Sequence, residues 1–198
     1  MFPKTIISLV LVIAVSVLSK SDPPLGCVRI ESVAYRRFMF PGQFQNGYER
    51  SVNFDNWERL VDKEWIVEKS GKEYRIYAVK NQIAPMFLYA NKTMLITDSS
   101  RRYARLSAFV GASSDILWKI EEKKNGYFTI QNKVLKEYLY AGERKYDVSY
   151  DCVLSYDTNQ HYWRTNSTTC RTVGRVFTWK GKEPKKPGPE FQWKIHSC

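Results

Sequence analysis

The chain has 198 residues, 31 Lys and Arg against 20 Asp and Glu, a formal net charge of +11, four cysteines and two histidines. That length suits one domain with a sizeable core rather than two. The positive balance favours acidic partners such as sulfated glycans, anionic surfaces or acidic proteins, and without any Cys-x-x-Cys it excludes the usual zinc frameworks.

The N-terminus carries Lys4 and then an apolar run from Ile6 to Leu18 interrupted only by Ser8 and Ser16. A short basic segment followed by an apolar one reads as a secretory signal. It is too short to span a bilayer, which takes about 20 apolar residues. Ser19 and Ser21 offer cleavage points, and Asp22, Pro23 and Pro24 end any helix. Residues 1–21 are therefore expected to be removed, leaving 22–198 as a secreted, extracellular domain without a membrane span. The cut takes Lys4 and Lys20 and no acidic residue, which lowers the net charge from +11 to +9. Export makes nucleic acid the weakest of the acidic partners, and none is expected.

All four cysteines, Cys27, Cys152, Cys170 and Cys198, lie in the exported part, and an even number in an oxidising compartment reads as two disulfides. Three connectivities are open. The favoured one joins Cys27 to Cys198, the two ends of the mature chain, and Cys152 to Cys170.

Three copies of one strand pattern follow, an internal repeat of the kind that decides a fold. The first opens with Cys27–Ile30, continues through Arg37–Gly42 and Ser51–Phe54, and closes on Glu64-Trp65-Ile66-Val67-Glu68. The second, after Gly71, runs through Tyr74–Ala78, Met86–Asn91 and Ala104–Phe109 to Leu117-Trp118-Lys119-Ile120-Glu121. The third, after Asn125-Gly126, runs through Tyr127–Ile130, Glu137–Gly142 and Cys152–Tyr156 to Gln192-Trp193-Lys194-Ile195-His196. Alternation, aromatic and β-branched content and regularly spaced turn residues make these strands, twelve in all. The repeats span about 27–70, 71–125 and 126–198. Three short sheets cannot bury their faces separately, so they share one core, as a closed barrel with a hairpin cap does. The tryptophans are 53 and 75 residues apart, so the third copy carries an insertion, expected between Asp157 and Glu190. A Trp at the same place in each copy reads as core.

Catalytic patterns are missing: no Gly-x-Ser-x-Gly, no phosphate-binding glycine loop and no His-Glu-x-x-His occurs. Of the two histidines, His196 sits at the chain end, where a structural role is expected. An enzyme is not expected, nor a cofactor or metal. Recognition falls instead to loops on a rigid scaffold. Asp157, Asn159, His161, Trp163 and Arg164 combine aromatic faces with hydrogen-bonding groups, the mixture a sugar needs. The Pro/Gly/Lys run 180–189 places Lys180, Lys182, Lys185 and Lys186 on an exposed loop suited to sulfated glycan or an acidic protein, and Arg101, Arg102 and Arg105 form a weaker basic candidate. Asn91-Lys92-Thr93 and Asn166-Ser167-Thr168 are acceptors for N-glycosylation and mark expected surface loops.

A threefold pattern with a Trp in the closing strand of each unit resembles the β-trefoil superfamily, which includes ricin-B-like lectins. Glu137–Ala141, Gly174–Trp179 and Gln192–Ile195 resemble the cysteine- and tryptophan-rich secreted proteins of mosquito saliva and related insect trefoils. The resemblance implies an all-β trefoil over 27–198 whose first and last strands are neighbours, in agreement with a Cys27–Cys198 bridge. It further implies a salivary-type, monomeric binding protein for an extracellular glycan or host protein, with a Kunitz-trefoil-type protease inhibitor and a neutral-sugar lectin as alternatives. The Gln-x-Trp signature of ricin-type sugar sites is absent: Lys63-Glu64-Trp65, Ile116-Leu117-Trp118 and Phe191-Gln192-Trp193 stand in its place.

Overall fold

The structure is a computed structural model of the chain. It describes residues 21–44, 48–55, 63–78, 84–95, 98–110, 113–123, 126–142, 148–151, 154–157, 162–165, 171–180 and 188–198, with 44, 148–151, 154–157, 162–165, 171 and 172 described by their backbone alone. Residues 1–20 of the expected signal segment, the Cys152–Cys170 pair and Asn166 lie outside the described residues.

The alternating segments form strands. They are β1 (Gly26–Ser32), β2 (Arg37–Phe44), β3 (Glu49–Asp55), β4 (Glu64–Ser70), β5 (Glu73–Ala78), β6 (Met86–Met94), β7 (Arg101–Ser107) and β8 (Leu117–Glu122). The remainder are β9 (Phe128–Asn132), β10 (Tyr138–Gly142), β11 (Val148–Asp151), β12 (Leu154–Asp157), β13 (Tyr162–Thr165), β14 (Arg171–Trp179) and β15 (Trp193–Ser197). Helical structure among the described residues is confined to short 3-10 turns such as Ser114–Ile116 and Pro189–Phe191, and no helix there is long and apolar enough to cross a membrane.

Six strands close on themselves: β1 pairs β4, β4 pairs β5, β5 pairs β8, β8 pairs β9, β9 pairs β15, and β15 returns to β1. Closure leaves this ring no free edge. Three hairpins, β2–β3, β6–β7 and β10–β14, extend from it. Their second strands meet in a triangle, β3 with β7, β7 with β14 and β14 with β3. A six-stranded barrel capped by three hairpins is the β-trefoil arrangement, and twelve of the strands build it.

One expectation is corrected here. The third strand of the last copy is Arg171–Trp179, not Cys152–Tyr156: β14 lies along β10 from Tyr138↔Trp179 to Gly142↔Arg175. The insertion therefore precedes that strand, between β10 and β14, and contributes β11–β13. Alternation alone could not separate the two segments; only the ladder with β10 does.

Glycine makes the tight turns that return β4 to β5 and β8 to β9, where Gly71 and Gly126 adopt φ of +66° and +72°. The main apolar cluster is drawn from all three copies, including Ile30, Ile76 and Ile130 and the tryptophans Trp65, Trp118 and Trp193, all wholly buried, and a smaller one gathers Leu95, Tyr138, Tyr140, Phe177 and Phe191. Each indole N–H donates to a carbonyl in the second strand of its own copy: Trp65 to Met39 at 2.9 Å, Trp118 to Leu88 at 2.9 Å and Trp193 to Leu139 at 3.2 Å. A buried indole needs such a partner, so the repeated tryptophan is both core filler and the tie between barrel and cap. The Cys27 and Cys198 sulfurs are bonded, with Cα atoms 5.5 Å apart.

Candidate functional site

The insertion grows from the cap. β11 pairs the first half of β14 from Val148↔Gly174 to Asp151↔Arg171, and β12 and β13 form a separate two-stranded sheet. In that hairpin Asp157 stands opposite Tyr162, Tyr156 opposite Trp163 and Ser155 opposite Arg164. The backbones of Asp157, Trp163 and Arg164 thus share one small sheet, while Asn159 and His161, between the strands in sequence, lie outside the described residues.

The basic candidates divide. Lys180 is exposed, and its backbone N–H donates to the Ser100 carbonyl at 2.8 Å. Lys182, Lys185 and Lys186 lie outside the described residues. Both ends of their segment rest on one aromatic cluster, because Trp179 and Phe191 meet edge to face at 6.3 Å and Tyr140 packs on Phe191 at 5.1 Å. The arginines are internal instead. Arg101 is buried, 2.7 Å from Asp98, with its guanidinium over the Phe177 ring. The Ser100 hydroxyl first, with Arg101 adding to it, holds the Asp98 carboxyl below its usual range. Arg102 pairs with buried Glu137 at 2.8 Å, and the Thr178 hydroxyl donates to the same carboxylate at 2.6 Å. Arg105 stacks on Tyr103. These three knit the hairpins of the cap and do not form a free patch.

Asn91 lies not in a loop but in β6, where the ladder with β7 shifts register between Ala90 and Met94. Its Oδ1 accepts the Thr93 N–H at 2.9 Å, and Lys92 and Thr93 are exposed. Deeper in the cap, Tyr89 donates its hydroxyl to Glu49; burial and then that bond push its phenol far above the usual range.

A cleft that the sequence reading does not contain opens where the first and third copies meet. Its volume is about 380 Å³, and Glu31, Val33, Arg36, Tyr127 and Lys194 line it. Its residues come from the ends of β1 and β15 and from the turns beside β2 and β9, so no local motif marks it. His196 faces Glu31, with Nε2 and Oε2 2.8 Å apart, which places this histidine in a pair on β1 and β15.

No protein-family model and no curated protein sequence matches the chain. Solved structures do. A salivary protein of the cysteine- and tryptophan-rich (CWRC) family from Culex quinquefasciatus is similar at 18% identity and a TM-score of 0.61, over 89% of this chain and 96% of that one. A proteinase inhibitor from Coprinopsis cinerea is similar at 10% identity and a TM-score of 0.56, over 90% and 99%. SeviL, solved bound to asialo-GM1 saccharide, is similar at 16% identity and a TM-score of 0.50, over 88% and 99%. At these identities the likeness is one of fold, and in fold the chain is a β-trefoil.

Proposed function

We propose that the chain is a secreted, non-enzymatic binding protein that engages an extracellular glycan or acidic protein through the insertion of its third copy and the lysine loop that follows β14. The observation that carries this reading is the asymmetry of a threefold molecule. The tryptophans and the barrel strands serve the scaffold in every copy, and the arginines of β7 serve it in the second, whereas the insertion between β10 and β14 is extra to it. Residues a scaffold does not need, held on a rigid frame, are where recognition concentrates. The fold is compatible with several ligands, since similar structures include a saccharide-bound protein, a proteinase inhibitor and a salivary protein.

Retention on heparin tests the charge component. Reversing Lys180, Lys182, Lys185 and Lys186 to Glu should move elution to clearly lower salt, because each lost cation removes an electrostatic contact that salt screens; unchanged elution refutes this version. Alanine at Asp157 and Trp163 should abolish any glycan hit on an array. The inhibitor alternative calls for a reactive loop with an exposed Lys or Arg, such as that around Arg164. Its backbone is already laddered against Ser155, which disfavours a freely presented protease-binding segment, and lack of trypsin inhibition at micromolar chain removes that alternative.

A further inference from the structure

The threefold frame allows the cleft between the first and third copies to be compared with its counterpart elsewhere in the same molecule. The turn after β1 and the turn after β9 are built alike. Arg36 N–H donates to the Ser32 carbonyl at 2.8 Å and Lys136 N–H to the Asn132 carbonyl at 3.0 Å, and both residues are left-handed, with φ of 53° and 57°. Arg36 therefore corresponds to Lys136, Val33 to Lys133 and Glu31 to Gln131. The neighbouring strands match too: Glu31 pairs Lys194 and Ser32 pairs Trp193, as Gln131 pairs Lys119 and Asn132 pairs Trp118. In the same registers His196 corresponds to Glu121. Trp193 faces Phe128 as Trp118 faces Tyr74, so Tyr127 corresponds to Glu73.

At the counterpart position two of the three cations are neutralised internally, while Lys136, like Arg36, pairs with no described carboxylate. Lys119 is 2.7 Å from Glu121, and Lys133 is 3.0 Å from Glu73. In the cleft both acids are replaced. Glu121 gives way to His196, which pairs with Glu31, and Glu73 gives way to Tyr127, whose ring lies 6.0 Å from the Lys194 ammonium. Arg36 and Lys194 are exposed and face the cavity without an ion pair to a described carboxylate. Arg36, Lys194 and Glu31 together carry one net positive charge around an aromatic face.

We propose that this cleft binds an acidic sugar residue: a single oxyanion, carboxylate or sulfate, carried on a pyranose ring. Arg36 and Lys194 donate charge-assisted bonds to the oxyanion. The Tyr127 ring takes the apolar face of the sugar, and the Glu31 carboxylate accepts from ring hydroxyls. One net charge selects a monoanion over a polyphosphate, and a volume of about 380 Å³ accommodates a sugar residue with its glycosidic neighbour. The site owes nothing to the insertion, so it stands or falls apart from the reading above.

The test is an NMR titration of the folded, disulfide-bonded protein with methyl glucuronide, glucose 6-sulfate and, as the neutral control, methyl glucoside. Either acidic sugar should shift resonances around Tyr127 and Lys194, and the two arms tell carboxylate from sulfate. Arg36→Gln and Lys194→Gln should each weaken binding about tenfold, as loss of one charge-assisted bond implies. Lys136→Gln and Lys119→Gln, at the counterpart positions, should leave it unchanged. The proposal is overturned if neither acidic sugar binds, if methyl glucoside binds as tightly, or if the Arg36→Gln/Lys194→Gln double variant, with an otherwise native spectrum, binds as before. Weakening by the Lys180, Lys182, Lys185 and Lys186 reversal, but not by Arg36→Gln or Lys194→Gln, would overturn the cleft and leave the insertion reading intact.

Discussion

Gly174 shows how tightly the cap is built. A Cβ there would stand 2.2 Å from Cζ of Phe54, a wholly buried ring, because β14 crosses β3 at the Gly174↔Phe54 pair. Its need for glycine comes from space, since its φ is not left-handed. Gly174→Ala should destabilise the protein by about 1–3 kcal/mol, the usual cost of overpacking a well-filled core. Phe54→Leu should recover part of that loss in the double variant, and urea denaturation of the two singles and the double measures both. If the changes simply add, the close approach is not the cause. The tryptophans obey the same local logic, each with a partner for its N–H in the strand it packs against. Removing an indole donor deprives its buried carbonyl of that hydrogen bond, at a cost of about 1–3 kcal/mol.

Among the elements, the insertion is separable from the frame that carries it. The β10–β14 ladder spans five residue pairs and β14 also joins β3 and β7, so the hairpin is held without β12 and β13. Replacing residues 143–170 by a short turn should therefore give a cooperatively folded protein with native near-ultraviolet circular dichroism. It should also lose whatever glycan or protein binding the parent has. Failure to fold would mean that β11 is part of the scaffold; retained binding would count against the insertion as the recognition surface. The arginines of β7 illustrate the opposite case. Arg102 reads in sequence as part of a cationic run, but its guanidinium and Glu137 join two hairpins. Removing Glu137 alone would strand a largely buried charge, typically a loss of about 3–5 kcal/mol.

For the whole molecule, the closing step joins the first and last strands, β1 and β15. β1 and β15 pair over five residues, and the Cys27–Cys198 bond lies just beyond that ladder, across a sequence separation of 171. In the loop-entropy account such a long closure contributes about 5 kcal/mol, and loss of a native disulfide typically costs about 2–5 kcal/mol. Cys27→Ser with Cys198→Ser should lower the urea midpoint by a corresponding amount while leaving the barrel pairing intact. No change in midpoint would show that the β1–β15 ladder alone is sufficient.

The repeated Trp strands, the turn glycines and the alternation of apolar residues are local patterns, written within a few neighbours of each residue. For that reason the sequence by itself determined the all-β class, the threefold frame and the core role of Trp65, Trp118 and Trp193; it also favoured the pairing of Cys27 with Cys198. The place of β14 was less legible. Two segments of the third copy alternate equally well, and register is decided by the partner strand rather than by the strand itself. A better local signal was present in the spacing before each Trp: β3 ends 10 residues before Trp65, β7 ends 11 before Trp118 and β14 ends 14 before Trp193. Only the tertiary structure could decide which cations are spent inside the protein and which face a cavity. That depends on carboxylates brought from other copies, Glu137 to Arg102 and Glu73 to Lys133, and, in the cleft beside Arg36 and Lys194, on Tyr127 standing where Glu73 does and His196 where Glu121 does. Charge pairing acts across a few ångströms of space, and barrel closure sets those distances between residues far apart in the chain.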